Sequence, residues 1–227
     1  MAKTLISIKN DLVNRGIAKS LINILPEWIN QAYDIMWDYR DWNFKFVAPV
    51  DLSIISGTSS YTLANVASDV SSIPYMYDPT NDVKLTEKKL WEILEVDPDL
   101  SLVGTPKFFY LTELGTKFGL FPIPDSSFTM KVPYYKVRPD LSSDTDKTIL
   151  PDRFDRILVD GAHAIALDYD NDPRAQRIWN KFYYGDPGWS RGRTIKGGLV
   201  GIAVDEDKYR SSQGFSQYIK NGVKVSG

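Results

Sequence analysis

The sequence predicts an α+β protein: a helical bundle carrying an inserted β-rich domain, sandwich or barrel-like, and ending in an extended C-terminal tail. Three observations carry that expectation. Apolar residues recur at helical spacing near the N-terminus and again after Pro151. Between these stretches the period drops to two, in short runs separated by Gly, Pro, Asn and Asp. From Gly185 onward neither period survives. The expected boundaries are 1–43 and 151–184 for the helical bundle, 44–150 for the inserted β-rich domain and 185–227 for the tail.

Leu5, Ile8, Leu12 and Val13 share a helical face, and Gly16 is a stop signal, so the first helix covers about residues 3–15. Trp28, Ile29, Ala32, Tyr33, Ile35, Met36 and Tyr39 form a broad apolar face on a second helix reaching about Arg40. That helix starts either at Pro26, which a first turn tolerates, or near Ser20 with Pro26 as a kink. Phe44, Phe46, Ala48, Val50 and Leu52 then alternate with Lys45, Val47, Pro49 and Asp51, the pattern of a half-buried strand. A turn at 56–60 precedes Tyr61–Leu63. Ile73–Tyr77 and Val83–Leu85 flank the turn Asp78-Pro-Thr-Asn-Asp82. Leu90, Ile93 and Leu94 suggest a short helix capped by Thr86 and ended by Asp97-Pro98.

Strand patterns follow at Lys107–Glu113, Lys117–Phe121 and Ser127–Val137. The last two read as a hairpin whose proline-rich turn is Pro122-Ile-Pro-Asp125. In the final strand Phe128, Met130, Val132 and Tyr134 share one face, which pins the register. Pro133 lacks a backbone donor and is expected on an edge strand, or with its missing N–H outward. Helical period returns with Phe154, Ile157, Leu158, Ala162, Ile165 and Tyr169. Pro173 opens a last helix bearing Ala175, Ile178, Trp179 and Phe182, closed by Gly185.

Composition narrows the function. The chain has 227 residues, a formal net charge of −2 and no cysteine. The charge argues against a dedicated nucleic-acid binder. The missing thiols exclude disulfides and cysteine-based zinc or nucleophile sites. The N-terminus does not read as a signal peptide, and the longest apolar runs fall short of a membrane span. Six tryptophans and thirteen tyrosines supply a packed core and candidate interface anchors.

No motif points to catalysis. His163 is the single histidine, sits in a helical pattern and has no nucleophile motif beside it, so it reads as structural. Asp168-Tyr-Asp-Asn-Asp172 resembles half of an EF-hand loop but has Pro173 and Trp179 where Gly and Glu are required. Those acids are expected to close one helix and cap the next. Asp144-Thr-Asp146 reads as a solvated turn. The Gly- and Arg-rich segment 185–198 lacks the phosphate-loop pattern. No cofactor or metal is expected. Paired carboxylates of a hydrolase are not selected by any spacing.

An ordered set of residues carries a resemblance. The set is Gly104-Thr-Pro-Lys-Phe-Phe-Tyr110, Leu120-Phe-Pro-Ile-Pro-Asp125, Phe128-Thr-Met130, Tyr134-Tyr135, Pro139, Leu141, Asp144-Thr-Asp146, Leu150-Pro151, Phe154 and Gly161-Ala162, preceded by Tyr39-Arg-Asp-Trp-Asn-Phe44. Over about residues 1–184 the chain resembles the head-to-tail adaptor, connector or gatekeeper proteins of tailed, especially short-tailed, bacteriophages. The resemblance implies a non-enzymatic virion component, assembled in the host cytoplasm. It implies a homo-oligomeric ring, typically twelvefold, docked on the portal protein. Such a ring extends the channel for double-stranded DNA without reading its sequence and offers a platform to the next tail or nozzle protein. No membrane is involved. A tail or baseplate module recognising protein or glycan is the alternative.

The tail at 185–227 matches no pattern of that family. It holds nine of the fifteen glycines, and seven Lys or Arg against four Asp or Glu. Gly198–Val204 reads as an additional strand. Solvated tails are poor in aromatics. This one keeps several, and Trp189, Arg191, Arg193, Lys196, Tyr209, Phe215 and Tyr218 are the expected protein-interface residues, chosen by residue type.

Overall fold

The computed structural model describes residues 3–185 and 197–204. The chain divides into two compact units, Met1–Arg40 with Pro139–Gly227, and Asp41–Arg138. The first is helical and the second is built on a curled sheet, so the protein is α+β. No helix among the described residues is long and apolar enough to cross a membrane.

In the helical unit, α1 spans Leu5–Asn14. The first N–H groups of a helix have no partner within it. Here the N–H groups of Leu5 and Ile6 donate to the carbonyl oxygens of Asp146 (2.9 Å) and Asp144 (3.2 Å), and that of Ser7 donates to the Thr4 hydroxyl (3.3 Å). The turn at 142–146 is held in turn by the Asp146 carboxylate, which accepts from the backbone N–H groups of Ser142 and Ser143. Those hydrogen bonds keep Asp146 below the ordinary carboxylate range. Residues 139–150, expected in the β-rich domain, thus group with the helices.

Helix α2 runs Leu25–Asp38 with Pro26 in its first turn. Lys19–Leu21 form a separate 3-10 turn, which settles the start in favour of Pro26. Helix α4, Asp152–Tyr169, is the hub: twelve of its eighteen residues are buried, and α1, α2 and α5 (Ala175–Tyr184) all pack on it. The tightest point is Gly161. A Cβ there would lie 2.7 Å from the Phe182 ring and 3.1 Å from Ala32, so α2, α4 and α5 approach one another only because that side chain is absent.

Residues 199–204 are helical, not a strand. Leu199, Ile202 and Ala203 lie at i, i+3 and i+4 and are buried, and the Arg40 guanidinium donates to the Ala203 carbonyl (2.6 Å). A run that is apolar throughout carries no period to separate helix from strand. Gly185 and Gly198 meet backbone to backbone in the helical unit. A Cβ on Gly198 would stand 2.3 Å from the Gly185 nitrogen and 2.5 Å from the Tyr183 carbonyl oxygen.

The second unit contains β1 (Phe46–Ile54), β2 (Ser60–Thr62), β3 (Val70–Ser72), β4 (Met76–Asp78), β5 (Val83–Glu87), α3 (Leu90–Leu94), β6 (Val103–Gly104), β7 (Phe108–Thr112), β8 (Lys117–Phe121), β9 (Ile123–Pro124) and β10 (Phe128–Lys136). The sheet order is β1-β10-β4-β5-β7-β8-β2, with β3 also on β10 and a separate parallel pair β6-β9. β5 and β7 are parallel and joined through α3; the cap of α3 is Lys89, whose N–H donates to Glu92 (3.3 Å), because Thr86 is engaged in β5.

β8 and β10 do not form the expected hairpin. β8 pairs with β7 and β2, whereas β10 pairs with β1, β3 and β4. The segment after Phe121 makes its own parallel pair with Val103 and Gly104 and carries the chain across the sheet. Curling brings the two strands together through side chains: Phe118 and Leu120 share a core cluster with Met130, Val132 and Leu52.

Pro133 is not at an edge, since β10 has partners on both sides. Val47 pairs with Tyr134 and Val50 with Val132, so Ala48 and Pro49 together oppose Pro133 across a β-bulge. On the other side, β4 meets β10 at Lys131 and β3 meets it at Tyr135, leaving Pro133 between. The ladder is broken on both flanks where the N–H is missing. The bulge also changes which residues of β1 face inward. Val47 packs toward the core, then Val50, Leu52 and Ile54 do, while Phe46 and Ala48 are exposed. The unbroken alternation from Phe44 to Leu52 is therefore corrected: the extra residue shifts its parity.

Candidate interaction surfaces

The seven interface residues expected in the tail, Trp189, Arg191, Arg193, Lys196, Tyr209, Phe215 and Tyr218, lie outside the described residues. The described residues hold three other surfaces, one basic, one acidic and apolar, one aromatic.

The basic surface is a cleft of about 310 Å³ between α4 and α5, lined by His163, Leu167, Arg174, Arg177, Ile178, Asn180 and Lys181. It exists because α4 presents its last exposed turn to a helix whose outer positions are basic. Beneath it lies Asp160, only 3% exposed. A buried carboxylate is stable as an anion only when paired. Asp160 accepts from Arg15 (2.5 Å) and Lys181 (3.2 Å), and Arg156 stands 3.9 Å away. Burial first, and the Arg15 charge second, push His163 below its usual range, so the imidazole is neutral at neutral pH. Among the described residues that line the cleft, none is a Ser, Thr or Cys that this imidazole could activate.

At the rim, Asp172 accepts from the Arg174 backbone N–H (2.8 Å) and pairs with its guanidinium (2.6 Å). These contacts hold Asp172 at about 2. Asp168 accepts from the Trp179 indole, and Asp170 ends α4. The acids at 168–172 thus close α4 and lead into α5. Among the described residues no group of three His, Cys, Asp or Glu is placed to hold a metal ion.

The acidic and apolar surface runs from α3 to β6. Ile93 is buried against Tyr110 and Phe121, but Trp91 is 55% exposed, Val96 74% and Val103 59%, with Leu94 and Leu102 also exposed. Glu92, Glu95, Asp97 and Asp99 lie within the same span, which contains no Lys or Arg. The loop has a fixed shape, because the Asp97 carboxylate accepts from the Leu102 N–H (2.7 Å) and Leu100 N–H donates to the Asp97 carbonyl (3.2 Å). Leu90, Ile93 and Leu94 make the apolar helix face of the sequence pattern, to which Trp91 and Val96 do not belong. Their signal was being apolar but out of phase with that face.

The third surface is a shallow cleft of about 550 Å³ on the outer side of the sheet, over the bulge, lined by Pro49, Tyr75, Tyr77, Lys84, Lys131 and Pro133. Register places Tyr77 between Lys84 and Lys131 on neighbouring strands. Its polar groups are engaged: Tyr77 donates to Asp82 (2.7 Å), Lys131 pairs with Asp51 (2.5 Å), and the Lys84 ammonium lies 4.4 Å from the Tyr75 ring centre.

The family model described as "SU10 adaptor protein" matches residues 3–187, which includes the β-unit and the helices on both sides of it. No curated protein matches the chain.

Proposed function

The chain belongs to the SU10 adaptor protein family, a family of phage adaptors with a structural role, and from that premise we propose that it is the head-to-tail adaptor of a bacteriophage virion. Copies form a ring, typically twelvefold, that docks on the portal protein, extends the DNA channel and provides the platform for the tail. The helical bundle meets the portal, the β-rich domain faces the next tail or nozzle protein, and the tail braces the junction. Double-stranded DNA passes through the lumen without sequence-specific binding.

The observation that carries this reading is the family match across residues 3–187. Two physical features support it. A closed ring needs two different surfaces on each copy, and this chain has a basic surface on one unit and an acidic, apolar one on the other. A formal charge of −2 also suits a conduit, since a strongly basic lumen would retain DNA.

Mass photometry of the purified chain with the portal protein of the same phage tests the proposal. The expected result is a joint complex of ring size; two unassociated species would overturn it. The bracing role of the tail is tested by truncation after Val204. That cut spares Leu199, Ile202 and Ala203, which are buried in the helical unit. Portal binding is expected to fall while the circular dichroism spectrum stays; full binding by the truncated chain would remove residues 205–227, with Tyr209, Phe215 and Tyr218, from the contact.

A further inference from the structure

The basic and the acidic surface are complementary in charge and in apolar content. We propose that the α3-to-β6 segment of one copy docks in the α4–α5 cleft of a second copy. The proposal rests on the ring reading and names the contact that would hold neighbouring copies together.

The cleft has charge left over. Asp160 is already shared by Arg15 and Lys181, and Asp172 is taken by Arg174. Arg177 has no carboxylate partner among the described residues and lines the opening. Leu167 and Ile178 give the same cleft an apolar floor. The α3-to-β6 segment is the converse. Glu92 is paired with Lys88 and Asp97 is used within its loop, but Glu95 and Asp99 carry no ion pair among the described residues. Around them stand Trp91, Val96, Leu102 and Val103, a larger exposed apolar cluster than a solitary surface residue. A buried aromatic anchor rimmed by opposite charges is the anatomy of a specific interface.

The symmetry follows from the chemistry. Two acidic segments would repel each other, and so would two basic clefts, so an isologous dimer through either surface is disfavoured. Segment to cleft joins two different surfaces, the kind of contact that, repeated head to tail from copy to copy, closes the ring of the proposed function. DNA is the competing occupant for a basic cleft, but few phosphates would be neutralised here and the apolar floor would have no partner.

Because the chain has no cysteine, single cysteines report the contact cleanly. Val96→Cys and Asn180→Cys variants, one carrying a size tag, are mixed with a short bismaleimide. The expected product is a mixed dimer, absent when either variant is treated alone. Arg177→Glu in the cleft partner should lower its yield roughly tenfold, the scale of one lost interfacial pair, and Asp99→Lys in the other partner should restore it. Dimers of one variant alone, or no mixed dimer, would overturn the contact. So would a DNA duplex that binds the chain, loses that binding in Arg177→Glu and leaves no cross-link. Mass photometry with the portal protein keeps the two ideas apart. A ring that assembles without the cross-link removes this contact only; absence of both removes the ring as well.

Discussion

Helix α4 and strand β10 occupy equivalent positions in their units, since each touches most of its neighbours, but they reach that position by different physics. α4 is central because side chains around nearly its whole circumference are buried; Phe154, Val159, Leu167 and Ala164 point in different directions and are all buried. β10 is a hub because its backbone pairs with three strands, β1 on one side and β3 and β4 on the other. Burial of a side chain is written in its identity. Pairing of a backbone edge is not, because every residue but proline offers the same N–H and C=O. A strand's alternation therefore shows which face is buried and leaves open how many neighbours it has.

The comparison is broken most severely by emptying either hub. Leu158→Ala in α4 and Met130→Ala in β10 remove fully buried side chains, and each should cost about 2–5 kcal/mol. Denaturant midpoints followed by far-ultraviolet circular dichroism check this. A loss well under 1 kcal/mol at either position would show that the element is not the hub of its unit.

Next in size is the close approach of α2 and α5 to α4. In an exposed helix, Gly→Ala gains up to about 1 kcal/mol. At Gly161 the new methyl meets Phe182 at 2.7 Å. Overpacking of this kind costs about 1–3 kcal/mol, so Gly161→Ala should lower stability in the same unfolding assay. A stabilised variant would mean that α5 can back away. Gly198→Ala probes the companion crossing. There the neighbours are backbone atoms of Gly185 and Tyr183, which cannot rotate aside. Hydrogen exchange at residues 199–204 should accelerate, with the α4 amides unchanged.

The same contrast explains what could be read in advance. The helices were legible because α2 and α4 carry broad stripes that no strand would produce, and Gly16 and Gly185 mark the stops of α1 and α5 with positive φ of 102° and 84°. β8 and β10 were legible as strands, nearly to the residue, but their pairing was not. Sequence neighbours usually pair, and here Pro122 to Asp125 carry the chain past three intervening strands. The bulge at Ala48 and Pro49 was hidden because inward and outward residues are both apolar around it. As for the surfaces, the basic cleft assembles from positions 163 to 181 on two helices, and only His163 and the acids at its rim had been singled out, for other chemistry. Of the tail residues chosen by type, Tyr209, Phe215 and Tyr218 are tested by the truncation after Val204.

A smaller effect concerns the rim of the cleft. Asp172 titrates at about 2, below its ordinary 3.8, mainly through the Arg174 side chain. A depressed carboxylate stabilises the fold above its unfolded value and loses that contribution as pH falls through about 2. Arg174→Gln should raise the Asp172 midpoint toward the ordinary value, read from its side-chain carbonyl shift by NMR. An unchanged midpoint would assign the depression to the backbone N–H at residue 174 instead.

The smallest effect is the most informative about β10. If Pro133 sat on a regular ladder, replacing it with Val would supply a missing hydrogen bond worth about 0.5–1.5 kcal/mol and would stabilise the protein. Opposite Pro133, however, stand Ala48 and Pro49 of the bulge, and on the other flank the ladder is interrupted between Lys131 and Tyr135. The new N–H would find no partner, and the unfolded chain would gain freedom worth about 0.4–1 kcal/mol. Pro133→Val should therefore destabilise slightly, by less than about 1 kcal/mol, in the same denaturant assay. A gain in stability would mean that the bulge closes when a donor is offered, and β10 would then be a regular interior strand carrying a misplaced proline. A small loss means that the two prolines are matched to the break, and that this interior strand is built around a point where its backbone makes no demand.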